Sequence, residues 1–144
     1  LNEAGQVDRA IQEYEALLQQ NPKALVAANN LASLLADQKG DPKSLDRALV
    51  LSKEFETSAP NPYFLDTLGW VHLKLGHQDE ALRIIHLAAA KAPDHPILNY
   101  HLGIAYFKAG QKAEAKTHLQ KAVASQKTFQ GLDDARSVLA QLQG

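Results

Sequence analysis

The 144-residue sequence contains no cysteine and no methionine. Without cysteine, disulfides and thiolate metal sites are excluded. The absence of methionine indicates a piece of a longer protein, in which we expect any targeting signal or lipid anchor to lie upstream. No apolar run is long enough to cross a membrane, and no signal peptide stands at the start. We therefore expect membrane attachment only through an anchor outside this sequence.

The sequence also lacks an excess of basic charge. Its 15 lysine and arginine residues are balanced by 16 aspartate and glutamate residues, which gives a net charge of -1. A face that binds nucleic acid needs a surplus of basic side chains to contact phosphates. Nucleic acid is therefore not expected as a partner, whereas the 45% of hydrophobic residues is typical of a globular chain.

What the sequence does contain is an internal repeat with a period of 34 residues, which places Pro62 on Pro96. The other matched positions are small residues or leucine: Leu68-Gly69 with Leu102-Gly103, Gly76 with Gly110, Ala81 with Ala115, and Ala88 with Ala122. A fixed period of this length predicts a unit of two helices that repeats along the chain.

The residues of each copy predict a helical hairpin. Asn61-Pro62 supplies a capping side chain followed by proline at the first helical position. Gly76 suits the left-handed conformation that ends a helix, and we predict a second helix from Gln78 to Lys91. Gly69 and Ala81 have no bulk at the place where the two helices should approach most closely.

The whole chain, residues 1–144, is predicted to be a single all-α array with one orphan helix, three hairpins and a cap. Its parts are the second half of a truncated repeat (1–22), a repeat with a lengthened turn (24–60), two further repeats (62–95 and 96–127) and a capping helix (131–143). The extra residues of the longer copy are expected around Gln38–Pro42. Solenoids need such terminal caps to remain soluble.

These residues resemble the tetratricopeptide repeat family. The family pattern is matched by Leu65-x2-Leu68-Gly69-x2-His72, Ala81-x3-Ile85 and Pro93, and again by Leu102-Gly103-x2-Tyr106 and Ala115-x3-Leu119. The sequence departs from it at Leu65 and Asn99 (typically tryptophan), His72 (tyrosine) and Lys127 (proline). The resemblance implies a right-handed superhelical solenoid of antiparallel helix hairpins. It also implies a non-enzymatic scaffold that binds a peptide or a partner protein in its concave groove.

A narrower resemblance is to the C-terminal repeats of bacterial envelope lipoproteins of exosortase (PEP-CTERM) and exopolysaccharide systems. It is carried by Asn29-Asn30-Leu31-Ala32, the Gly40-Asp41-Pro42 turn, Leu65-Asp66-Thr67-Leu68-Gly69-Trp70 and Tyr100-His101-Leu102-Gly103. This resemblance implies a bacterial protein of the cell envelope or periplasm rather than of the cytoplasm.

In this family the first helix of each hairpin lines the groove. By phase, the groove-facing residues would be Asn29, Ser33, Ala36 and Asp37, then Tyr63, Asp66, Trp70, Leu73 and Lys74, then Ile97, Tyr100, His101, Ile104, Phe107 and Lys108. Aromatic side chains often dominate interface energies, so we predict that Trp70, Tyr100, Ile104 and Phe107 make the main contact. The alternative is that Trp70 and Phe107 pack against the neighbouring hairpin.

No catalytic, metal or cofactor site is predicted. His72 and His77 would point about 140° apart on one helix, and no zinc motif of two histidines on one helix occurs. Gly69 and Gly103 follow leucines within helices, so they are interpreted as packing glycines rather than as a dinucleotide loop. The basic clamp that holds a terminal carboxylate in some members of the family is missing as well.

Two further hypotheses remain at the level of the sequence. The truncated first repeat would expose an apolar face, so the chain could be a structural segment that stacks with upstream repeats or forms a homo-oligomer. Alternatively, the parent protein could be an enzyme in which this array recruits the substrate.

Overall fold

The computed structural model describes residues 2–143, so residues 1 and 144 of the predicted array lie outside the described residues. Its helices are α1 (Glu3–Gln20), α2 (Leu25–Leu34), α3 (Pro42–Ser52), α4 (Phe55–Ser58), α5 (Pro62–Lys74), α6 (Gln78–Lys91), α7 (Pro96–Lys108), α8 (Lys112–Ala124) and α9 (Leu132–Gln143). No strand occurs within these residues. Apart from the single turn α4 and a π-helical turn after α2, residues 2–143 form eight helices, and this confirms the prediction of an all-α solenoid.

Local chemistry sets the helix ends where the repeat predicted them. The side-chain oxygen of Asn61 accepts hydrogen bonds from the backbone N–H of Tyr63 and Phe64, at 3.0 and 2.9 Å. These bonds satisfy two donors that have no partner in the first turn of α5. Gly76 ends the first helix of the hairpin with φ +87°, a conformation that a side chain would strain. The predicted second helix, Gln78–Lys91, is confirmed with both bounds.

Successive helices pack as hairpins, and the hairpins pack on one another. The pairs α5–α6 and α7–α8 share the largest contacts, α2 packs on α3 in the same way, and α6 packs on α7 to join two hairpins. At the ends of the array, α1 packs on α2, and α9 packs on α8 and α7. In these contacts α1 packs on the hairpin that follows it, as α6 packs on α7.

Glycine determines how closely the two helices of a hairpin approach. A Cβ atom added to Gly69 would lie 2.5 Å from Ile85 Cγ1, and one added to Gly103 would lie 2.7 Å from Leu119 Cγ. These distances are far below van der Waals contact, so neither position has room for a side chain. The interpretation of both residues as packing glycines is confirmed.

The lengthened turn begins inside a helix rather than after it. After Leu34 the helix α2 widens into a π-helical turn, Leu35–Lys39, which ends when Gly40 N donates to Leu35 O at 2.9 Å. A π-helical turn accommodates additional chain without breaking the helix. The extra residues that the sequence predicts around Gln38–Pro42 are thus partly taken up by the π-helical turn, which begins before Gln38. Asp37 lies within this turn.

Within residues 2–143, no helix combines the length and the apolar character that a membrane span requires.

Candidate functional site

The first helices of the three hairpins and the C-terminal helix form one surface, which we call the inner row. We define it as α2 with its π-helical turn, α5, α7 and α9. Neighbours along this row are joined by side-chain hydrogen bonds that cross from one hairpin to the next. The three bonds are Trp70 Nε1 to Asp37 Oδ1, His101 Nδ1 to the Asp66 carboxylate, and Tyr100 Oη to Asp134 Oδ2, each 2.8 Å long. The groove-facing positions predicted from the sequence therefore also hold the hairpins together.

The aromatic residues of the inner row are largely covered. Trp70 and Tyr100 are each 5% exposed, and Ile104 is 4% exposed. The Trp70 ring lies on the His101 ring with 3.8 Å between centroids and an interplanar angle of 16°. The structure thus packs Trp70 against the neighbouring hairpin, and its direct contact with a partner stays a prediction.

The predicted groove residues differ widely in accessibility. The buried members are Ala36, Asp66, Trp70, Leu73, Tyr100, His101 and Ile104. The half-buried members are Asn29, Ser33, Asp37, Ile97 and Phe107, and the exposed members are Tyr63, Lys74 and Lys108. A partner on this face would contact the exposed and half-buried residues before the buried ones.

Seven of these residues converge on one cleft of about 310 Å³, which we call the aromatic cleft. Its lining consists of Trp70, Leu73, Lys74, Tyr100, Ile104, Phe107 and Lys108, together with Asp134 and Val138 of α9. The Lys74 ammonium lies 5.0 Å from the centroid of the Trp70 ring, at a distance typical of a cation–π contact. The cleft therefore joins an apolar floor to two exposed ammonium groups.

A second opening, the α1–α2 groove, has a volume of about 480 Å³. It is lined by Ala10, Tyr14, Asn29, Asn30, Ser33, Leu34, Asp37, Gln38 and Gln130. Asn29 Oδ1 is buried here and has no hydrogen-bond partner among the described residues. Asn29, Ser33 and Asp37 are among the groove-facing residues that the sequence predicts, whereas Tyr14 and Gln130 are not. Tyr14 was recognisable from the repeat pattern, whereas no sequence signal marks Gln130.

Burial and a neighbouring carboxylate change the pKa of Tyr100, the buried tyrosine of the inner row. Burial, followed by the hydrogen bond to the Asp134 carboxylate, raises the pKa of the Tyr100 phenol well above its usual value. The Tyr100 hydroxyl therefore stays protonated and donates its hydrogen bond to the Asp134 carboxylate. This donor–acceptor pair anchors α9 to α7.

The prediction that His72 and His77 point apart was wrong. Because α5 ends at Lys74 and Gly76 turns the chain, His77 precedes α6 rather than continuing α5, and the two Nδ1 atoms lie 2.9 Å apart. Burial first, and then the neighbouring His77, lower the pKa of His72. Within the described residues, no three histidine, aspartate or glutamate side chains are placed to hold a metal ion.

The one buried carboxylate–histidine contact of the inner row is the pair Asp66–His101. Such a pair supplies a general base when a substrate can reach the imidazole. Here Asp66 and His101 are both buried, and Trp70 covers the His101 ring. The geometry therefore suits a structural link between α5 and α7 rather than proton transfer to a substrate.

Two family models, each described as tetratricopeptide repeat, match residues 3–51 and 72–142. Comparison with curated protein sequences finds no match.

Solved structures share the fold. A thermophilic tetratricopeptide repeat protein of Thermus thermophilus is 22% identical with a TM-score of 0.77, over 96% of this chain and 74% of that one. MamA of AMB-1 is 26% identical with a TM-score of 0.62, over 83% of this chain and 69% of that one. A repeat protein from Parabacteroides merdae ATCC 43184 is 18% identical with a TM-score of 0.65, over 99% of this chain and 56% of that one.

Proposed function

The chain belongs to the tetratricopeptide repeat family, and we propose that it is a non-enzymatic scaffold whose inner row binds a peptide or a partner protein. Proteins built from this repeat are in general interaction scaffolds. The observation that carries the proposal is the aromatic cleft, because the sequence predicts seven of its nine lining residues as groove-facing.

The chemistry of the cleft suggests how a partner would be held. Trp70 and Tyr100 form the floor, so an apolar side chain that enters the cleft would displace water from aromatic surface. Lys74 and Lys108 are exposed at the rim, where each ammonium can pair with a carboxylate. We therefore propose a partner segment with a bulky apolar residue next to an acidic one.

The test replaces Phe107, a residue of the aromatic cleft that is less buried than Trp70. Phe107 is only half-buried, so Phe107→Ala should leave the helical signal in circular dichroism intact, unlike loss of the buried Trp70. Proteins that the wild-type chain captures from the source organism would be identified and purified. Each would then be titrated against the wild-type chain and against Phe107→Ala. We expect Phe107→Ala to weaken binding by at least about tenfold, as for an aromatic contact at the centre of an interface.

The matched control is Leu87→Ala, which truncates an exposed apolar residue on α6 outside the cleft. This control should bind like the wild type. If Phe107→Ala and Leu87→Ala bind the purified partner with the same affinity as the wild-type chain, the aromatic cleft is not the binding site.

We further propose that the scaffold works in a bacterial envelope, in an exopolysaccharide or protein-sorting system, held to the membrane by an anchor outside this chain. The support is the sequence resemblance of the Asn29-Asn30-Leu31-Ala32 and Leu65–Trp70 segments. Fractionation of the source organism tests this location, since recovery of the full-length protein in the cytosol would contradict it. The alternative function is structural self-association of copies of the chain. In that case the particle mass measured by light scattering should rise with protein concentration.

A further inference from the structure

Two histidines meet across the turn that joins α5 to α6. His72 lies in the last turn of α5, and His77 is the residue that precedes α6. Their Nδ1 atoms are 2.9 Å apart, and their ring centroids are 5.2 Å apart. A hydrogen bond accounts for this contact when one ring carries its proton on Nδ1. When both rings carry the proton on Nε2 instead, two nitrogen lone pairs lie side by side.

The backbone of the turn holds the two rings near each other. His77 N donates to His72 O at 2.9 Å, and Gly76 N donates to Leu73 O at 3.1 Å. Gly76 has φ +87°, a conformation typical of the residue that ends a helix. Because the turn already brings the rings together, a ligand that needs both nitrogens costs little further ordering of the chain.

Other histidines of the chain use the same ring nitrogen differently. In His95, His101 and His118 the Nδ1 atom is bonded to a backbone amide, a carboxylate and a side-chain amide oxygen, respectively. These three nitrogens already have partners within the protein. The Nδ1 atoms of His72 and His77, by contrast, face each other and are both of the type that binds metal ions.

The spacing of the pair matches two neighbouring ligands of one metal ion. Imidazole nitrogens bind transition metals at about 2.0–2.1 Å, so two of them at right angles around an ion are about 2.9 Å apart. At the tetrahedral angle they would be about 3.3 Å apart. The 2.9 Å between His72 and His77 therefore fits a square-planar or tetragonal ion, a geometry typical of Cu²⁺ and Ni²⁺ rather than of Zn²⁺.

The charges around the pair favour a cation. Glu56 of α4 and Glu80 of α6 both act electrostatically on the His72 ring, and both carboxylates are paired with Arg83, at 2.7 and 3.1 Å. Two carboxylates against one guanidinium leave one negative charge beside the rings. His77 is exposed, so an ion can reach the pair, and its ring has room to turn the lone pair towards that ion.

We propose that His72 and His77 form a two-histidine site for a divalent transition-metal ion of square-planar preference, Cu²⁺ first, because nitrogen sites bind it most tightly. No group of three histidine, aspartate or glutamate side chains is placed to hold an ion in residues 2–143, so water fills the remaining positions. The bound ion would link the end of α5 to the beginning of α6. Neither histidine lines the aromatic cleft, so this inference stands or falls independently of the proposed function.

The test titrates CuCl₂ into the full chain without a histidine tag, at about pH 7.5, where most imidazole is neutral. Isothermal titration calorimetry should show one ion per chain with a dissociation constant below about 100 µM. His72→Gln and His77→Gln should each weaken binding by at least about tenfold, because each removes one of the two nitrogen ligands. His86→Gln is the matched control, since it removes an exposed histidine of α6 outside the pair, and it should bind like the wild-type chain.

Two further measurements identify the ligands and the geometry. The electron paramagnetic resonance spectrum of Cu²⁺ on the wild-type chain should show splitting from two imidazole nitrogens, and the spectrum on either single variant splitting from one. Zn²⁺ should bind at least about tenfold more weakly than Cu²⁺, because its tetrahedral preference requires the nitrogens to move apart. Circular dichroism confirms the fold of every variant.

Three results would overturn the proposal. The first is a wild-type chain that binds Cu²⁺ with a dissociation constant above about 100 µM. The second is binding that His72→Gln and His77→Gln leave unchanged, which would place the ion elsewhere on the chain. The third is equally tight binding of Zn²⁺ and Cu²⁺, which would contradict the right-angle geometry of the site.

Discussion

Replacing Gly69 by alanine measures how tightly α5 and α6 are held together. The new Cβ would lie 2.5 Å from Ile85 Cγ1 and 3.1 Å from Ile85 N. Ile85 is completely buried, so its side chain has no open space to move into. Overpacking of this kind costs about 1–3 kcal/mol, and the higher helix propensity of alanine offsets about 0.5–1 kcal/mol of that. We expect the free energy of unfolding to fall by about 1–2 kcal/mol.

The assay is urea unfolding, followed in parallel by circular dichroism and by the fluorescence of Trp70, the single tryptophan of the chain. Linear extrapolation to zero urea gives the free energy of unfolding. Coincidence of the two signals establishes that the array unfolds as one unit, which repeat proteins do not always do.

Ile85→Ala provides the decisive second background. By itself this truncation should cost about 2–5 kcal/mol, because it leaves a cavity between α5 and α6. It also removes Cγ1, the nearest atom to the new Cβ, so Gly69→Ala should become neutral or stabilising there. The coupling between the two changes is then about 1–3 kcal/mol. Equal destabilisation by Gly69→Ala in both backgrounds would refute the steric reasoning, as would a stabilised single variant.

Two further predictions concern side chains of the inner row and the second helices. Trp70→Phe removes the indole donor and leaves the Asp37 carboxylate without its partner, so the free energy of unfolding in urea should fall by about 1–3 kcal/mol; an unchanged value would show that the bond contributes nothing. Burial lowers the pKa of both His72 and His118, so the unfolded chain takes up protons first as the pH falls below about 6.5. The melting temperature should therefore fall when the pH is lowered from 7 to 5. The double variant with both histidines changed to glutamine should show a smaller fall. A fall of the same size in this variant would contradict the assignment of the effect to His72 and His118.

Local chemistry in the sequence was sufficient to predict the helices. Asn61-Pro62 begins a helix and Gly76 ends it through bonds and dihedral preferences within a few residues, so these positions are recognisable without tertiary information. The match of α6 to Gln78–Lys91 follows from such signals. The 34-residue recurrence of small residues also predicted the close approach at Gly69, because only a crossing of two helices demands a missing side chain at regular intervals.

The same periodicity selected the residues of the inner row but not their exposure. Phase indicates the side of a helix on which Trp70 and Tyr100 lie, whereas their burial depends on the distance to the next first helix. That distance is set by how the hairpins stack. The contact of His72 with His77 was missed for a related reason, since the turn at Gly76 changes the direction of the chain between them.

The sequence by itself determined that this chain forms paired helices in a repeating array, because capping, turn conformation and steric exclusion act between neighbouring residues or at a fixed period. Only the tertiary structure decided how deeply each face of those helices is buried. Leu17 is 51% exposed, whereas Ala88 and Ala122, at the equivalent position of later second helices, are completely buried. The difference arises because burial requires a second element to be present, and that depends on the assembled neighbours rather than on the helix itself.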